Sequence, residues 1–132
     1  MANGNEYEPI GDEEILYRRV HPDHYPQRVL DKQAFRPGVH DTMGLSLFRA
    51  KFQTALEVAH RGRGPAYYVA HLVAGKLRAR GMTLRPAPQE GNPGHCEIAE
   101  LTYANRREDY AEELQLALAE ELCERIEGPF RK

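Results

Sequence analysis

Proline and glycine cut this chain into short pieces, and that punctuation limits its fold more than any other feature. Pro22 and Pro26, Pro37-Gly38, the Arg61-Gly62-Arg63-Gly64-Pro65 turn, Gly81, and the run of Pro86, Pro88, Gly91, Pro93 and Gly94 each interrupt it. Proline lacks the backbone donor that helix interiors and central strands use, and glycine favours turns over element interiors. What remains between the breaks suits strands and helices of one or two turns. Ile15–Val20 reads as a strand, and Leu45–Arg49 as another from its period-two Leu45 and Leu47. Residues 67–73 are the best buried-strand candidate, and residues 82–85 and 96–101 are further strands. Residues 29–35 admit a strand closed by Pro37-Gly38, while HPDHYP at 21–26 is a fixed loop or a single helical turn. Thr54 and Glu57 have capping-box spacing and predict a helix over 54–60; Gly81 is placed to end another over 75–80.

Only beyond Asn105 does a long period run uninterrupted. Tyr110, Leu114, Leu118, Leu122 and Ile126 recur every fourth residue behind Asn105 as N-cap, predicting an amphipathic helix over about 106–127 that Gly128-Pro129 ends. Leu116, Ala119 and Cys123 widen its apolar surface and offer a flank to a partner. The expected fold class is α+β: a small mixed or antiparallel sheet with short helices and a long C-terminal amphipathic helix. The expected organisation is a flexible N-terminal tail (1–14), an α+β core (15–104), and an acidic helix (105–132) packed on that core.

A chain of 132 residues with 41% apolar content can bury one core without disulfides or a structural metal. Cys96 and Cys123 have no CxxC spacing and read as thiols in a reducing compartment. No apolar run approaches the ~20 residues of a membrane helix, and residues 1–30 lack the order of a secretion signal, so a cytoplasmic protein with no membrane partner is expected.

The formal charge of −2 conceals a segregation. Residues 1–17 carry five acids and no Lys or Arg; residues 18–85 carry thirteen basic residues against four acids; residues 86–132 carry five against eleven. Either the acidic C-terminal segment neutralises the basic body, or the basic face meets an acidic protein, a phosphate-bearing ligand or nucleic acid. Arg36, Arg49, Arg61, Arg63 and Arg78 are the candidate binding residues of that face.

Chemistry is sparser. His21 and His24 form one i, i+3 pair that no second close pair answers, so no metal site is expected, and the two rings are better read as partners of loop backbone. Cys96 beside His95 points away from it in a strand, and Cys123 sits among Glu120, Glu121 and Glu124, so neither has a nucleophile's surroundings. Ser46 lacks a GxSxG turn, and the Arg61–Gly64 turn lacks the Lys-Ser/Thr ending of a P-loop. One ordered set stands out: Arg18 or Arg19 on the first strand, Ser46 on a middle strand, Glu97 on a late one. That order resembles the Arg–Ser–Glu layout of ADP-ribosyltransferases, in which Arg and Ser position NAD and Glu holds the ribose, although the Ser-Thr-Ser signature is replaced by Leu45-Ser46-Leu47.

LYRRVHPDHY, AFRP, GLSLFR and AYYVAHLVAGKLRARGMTLRPAPQEGNPGHCEI together resemble a group of short uncharacterised bacterial proteins over residues 15–101. The chain departs from their pattern at Ala87 and Gly94. The resemblance implies a shared fold and a shared site, and marks Arg18, Arg19, Phe35, Arg36, Ser46, Asn92, Pro93 and His95 as matching positions; it implies no activity. His95 is the marked residue best explained by a site, and Phe35 the one best explained by packing. The leading expectation is a small binding or accessory component of a larger protein assembly, with a protein partner and no cofactor. The alternative is a nucleotide- or NAD-processing enzyme with Arg18, Arg19, Ser46, His95 and Glu97 as catalytic candidates; the third is sequence-independent nucleic-acid binding.

Overall fold

The computed structural model describes residues 5–61, 64 and 66–131. It is a mixed α/β fold built on one six-stranded antiparallel sheet with a few short helices. In chain order the elements are β1 (Ile15–Val20), β2 (Leu45–Arg49), α1 (Ala55–Ala59), β3 (Ala66–Val73), α2 (Ala74–Ala79), β4 (Leu84–Pro86), β5 (His95–Ile98), α3 (Asp109–Ala117) and β6 (Arg125–Arg131). Three 3-10 turns, at Pro22–His24, Pro26–Arg28 and Lys32–Phe35, join β1 to β2, so residues 29–35 hold no strand. The sheet order is β4-β5-β2-β1-β3-β6.

Alternation along the strands divides the sheet into two unlike faces. Leu16, Val20, Leu45, Leu47, Leu72, Cys96 and Ile98 point to one face and join Phe35, Leu77, Leu101, Ala111 and Leu118 in the main core. Tyr17, Phe48 and Val69 point the other way, where α1 covers them with Ala55, Val58 and Ala59. The predicted capping box holds α1 in place: Glu57 N donates to Thr54 Oγ1 at 3.1 Å, and Thr54 N donates to the Glu57 carboxylate at 2.8 Å. Gly81, at φ 87°, ends α2 in the left-handed conformation the sequence suggests.

Two regions differ from expectation. The long C-terminal helix stops early: α3 passes into a π turn at Leu118–Leu122, and the chain then extends and returns as β6 along the outer edge of β3. Glu120 and Glu121 near its end oppose the helix dipole, whereas the β3 edge offers unpaired backbone groups that β6 satisfies. Ile126, the last member of the fourfold period, therefore lies opposite Ala70 in the sheet. Asn105 does not cap α3 but a preceding turn, accepting from Thr102 N at 2.9 Å and donating to Glu100 O at 2.8 Å. At the other terminus, the tail expected to be flexible is docked over residues 5–14. Ile10 is buried in the main core, and Arg49 binds the carbonyls of Glu6, Glu8 and Pro9 and the carboxylate of Glu14.

Candidate functional site

β1 and β2 pair over only two positions, Leu16 with Arg49 and Tyr17 with Phe48. β1 pairs with β3 along its whole length, and β2 with β5 from Leu45 to Phe48, so the sheet opens between Arg18-Arg19 and Ser46-Leu47. The Arg18 side chain stands in for the missing ladder. Its Nε donates to Ala34 O at 2.8 Å and its Nη1 to Ser46 O at 3.0 Å.

A cavity of about 570 Å³ lies over this opening, within the usual range of ligand pockets. Arg18, Arg19, Ser46, His95 and Glu97, the five catalytic candidates of the sequence, all line it, joined by Arg36 and Arg61 from the proposed basic face. Antiparallel register brings the candidates together: Ser46 faces Glu97 across β2 and β5, and Phe48 faces His95. The NPGHCEI segment divides along the pleat. Asn92, His95 and Glu97 form cavity wall, while Cys96 and Ile98 enter the core. Gly94 allows this passage, since a Cβ there would meet Arg49 O at 2.9 Å and Gln53 Oε1 at 2.7 Å.

Ser46 Oγ donates to Asp41 Oδ1 at 2.8 Å and lies 2.9 Å from His95 Nε2, while His95 Nδ1 lies 2.8 Å from Ala87 O. These contacts join Asp41, Ser46 and His95 in one network. Serine sits in the middle of it, which is not the Ser–His–Asp order of an acyl-transfer triad. Asp41 is fixed in turn by Gly38 N, 2.8 Å from Oδ2. In the sequence Asp41 carries no signal beyond standing next to His40; its role becomes visible only when the loop folds back onto β2.

The wall is rich in unneutralised cations. Burial lowers the Arg18 guanidinium to about 10, against the favourable influence of Asp41 and with the unfavourable one of Arg19; it stays charged at neutral pH. Arg19 is also lowered, first by burial and further by Arg61, and its guanidinium lies 5.5 Å from the centre of the Tyr67 ring. Among the described residues no carboxylate forms an ion pair with Arg18, Arg19 or Arg61. Glu97 has only Arg85 within ion-pair range, at 3.5 Å. Two buried polar atoms in the lining lack partners: Arg36 Nε and Asn92 Oδ1, the latter on a side chain in a residue only 6% exposed. His24 is lowered by burial and then by His21. His21 Nδ1 accepts from Asp23 N at 3.0 Å, and among the described residues no group of three His, Cys, Asp or Glu is arranged to hold a metal ion.

Other candidates fall elsewhere. Arg49, expected on the binding face, is wholly buried with Glu14, because β2 turns its side chain toward the docked N-terminal segment. Arg78 pairs with Asp12 on the surface, and Arg63 lies outside the described residues. Much of the basic surface meets acids of the same chain: Lys32 and Arg36 hold Glu112, Lys76 holds Glu124, and Arg80 holds Glu121. Burial pushes the Cys96 thiol up to about 12 and raises Cys123 as well, so neither is a thiolate. Among the described residues no helix is long and apolar enough to cross a membrane. Comparison with family models, with curated proteins and with solved structures gives no match.

Proposed function

We propose that the cavity binds a phosphate-bearing nucleotide such as NAD and is the site of its processing. The observation that carries this reading is the gathering of Arg18, Arg19 and Arg61, none of them paired with a carboxylate, in one cavity with Ser46 and Glu97. Cations held close together repel one another, and a phosphate or pyrophosphate relieves that repulsion through charge-assisted hydrogen bonds. Glu97 and Asn92 Oδ1 supply acceptors for hydroxyl or amide donors of the same ligand. The Arg–Ser–Glu set resembles that of ADP-ribosyltransferases, which assigns phosphate and ribose positioning to Arg18, Arg19 and Ser46 and a ribose hydroxyl to Glu97. The accessory-component reading relies on the basic surface and the helix flank. Ion pairs with α3 and its π turn engage Lys32, Arg36 and Arg80 within the chain, which favours the cavity.

Titration calorimetry with NAD, AMP and adenosine tests the reading. NAD and AMP bind, adenosine binds far more weakly, and Arg19→Gln weakens NAD by roughly tenfold or more at an unchanged melting temperature. Glu97→Gln abolishes NAD turnover without unfolding the protein. Equal binding of adenosine and AMP, or no binding by any of the three, overturns the proposal.

A further inference from the structure

A second cavity, of about 350 Å³, adjoins the first. The two share Arg61, and the hairpin tip around Gly91 divides them: Gln89 and Asn92 face the first cavity, Gly91 and Pro93 the second. The tip is held by reciprocal backbone bonds between Gln89 and Asn92, and Arg61 Nη2 donates to Gly91 O. The linings differ in chemistry. The first is dominated by arginine and histidine, whereas Phe52, Leu56 and Pro93 give the second an apolar surface, with polar groups at Gln53, Glu57 and His60. His60 Nε2 is buried and has no partner. Leu56 is 50% exposed on α1, an apolar side chain left open at the cavity.

We propose that the two cavities are subsites of one dinucleotide, with its phosphates at the shared Arg61 and one base in the second cavity. This rests on the nucleotide reading above and gives the ligand its class. A base has a flat face for Phe52, Leu56 and Pro93, and ring nitrogens or an exocyclic amine for His60 Nε2, whose burial without a partner is otherwise unfavourable. A pyrophosphate linking two nucleosides explains why the cation common to both cavities stands at the divider. A mononucleotide fills one subsite and leaves the other open.

The test compares NAD with its two halves, AMP and nicotinamide mononucleotide, on the wild type, Leu56→Glu and His60→Gln. NAD binds the wild type more tightly than either half. Both substitutions weaken NAD by roughly tenfold to a hundredfold, the scale of one lost base contact, weaken one of the two halves likewise, and leave the binding of the other half unchanged. Leu116→Glu, at an exposed position of α3 that lines neither cavity, leaves all three affinities alone. If NAD binds no better than its halves, or if Leu56→Glu and His60→Gln bind it as the wild type does, the second cavity is not a subsite and the phosphate reading of the first survives. If no nucleotide binds the wild type, both proposals fall together.

Discussion

Two arginines one strand apart show the molecule treating the same charge in opposite ways. Arg49 of β2 is completely buried, with Nη2 2.7 Å and Nε 2.9 Å from the two carboxylate oxygens of Glu14 and three backbone carbonyls around it. Arg18 of β1 meets only carbonyls, stands next to Arg19, and opens on a cavity that Arg61 also lines. The first cation is neutralised inside the fold and ties the N-terminal segment to the sheet. The second is held in position by carbonyls and has no ion-paired carboxylate. Burial alone does not distinguish the two arginines; the presence or absence of an ion-paired carboxylate does.

Breaking the neutralised pair gives the largest effect. Arg49→Met leaves the Glu14 carboxylate and three carbonyls facing apolar surface, and removing one partner of a buried pair costs about 3–5 kcal/mol, read by urea or thermal unfolding. The same pair sets the acid response. Burial raises the Glu14 carboxyl, but hydrogen bonds and charge from Arg49 and a bond from Gly11 outweigh it, leaving its pKa below the ordinary 4.5. A carboxyl depressed in the folded state contributes stability above its unfolded pKa and loses it as pH falls through the folded one. The wild type therefore weakens below about pH 4.5, and Arg49→Met weakens less steeply there; parallel acid limbs in the two proteins would detach Glu14 from the effect.

What the sequence could reveal follows the same division. Local rules reached β1, β2, the capped helix α1 and the end of α2, because each depends on neighbours a few residues apart. They also collected Arg19, Ser46, His95 and Glu97, since β pairing brings side chains of one parity to one face, and Arg18, of the opposite parity, which lines the cavity where β1 and β2 part. They could not separate Arg49 from Arg36 or Arg61, because Glu14 lies 35 positions away and its bond to Arg49 depends on how residues 5–14 dock. Nor could they end α3, whose fourfold apolar period continues to Ile126 while the β3 edge, more than 50 residues earlier, takes that segment as a strand. Asp41 escaped for a related reason: its contact with Ser46 spans a loop without regular pattern.

A smaller break lies within the cavity itself. Ser46→Ala removes the hydroxyl that joins Asp41 to His95, leaving Asp41 Oδ1 and His95 Nε2 without their contacts, at a cost of about 1–3 kcal/mol. The His95 ring loses its contact with the serine hydroxyl, so its resonances change position. An unchanged His95 spectrum in Ser46→Ala would mean that the serine is incidental to the network. The comparison with Arg49→Met is then direct, since Arg49→Met loosens the fold and Ser46→Ala alters the contacts of one cavity network.

The least disruptive test adds charge instead of removing it. If the Arg18, Arg19 and Arg61 group is uncompensated, inorganic phosphate stabilises the wild type beyond chloride at matched ionic strength, by about 1.4 kcal/mol at ten times its dissociation constant. Phosphate also strengthens apolar burial in any protein through its exclusion from the surface. That general contribution is common to all variants, so the cavity's share is the difference between wild type and Arg19→Gln. The increment shrinks in Arg19→Gln because one cation of the group is gone, and it persists under Arg78→Gln, whose partner Asp12 lies on the surface away from the cavity. An increment equal in all three proteins would place the cavity with the neutralised interior of Arg49 and remove the distinction between the two arginines.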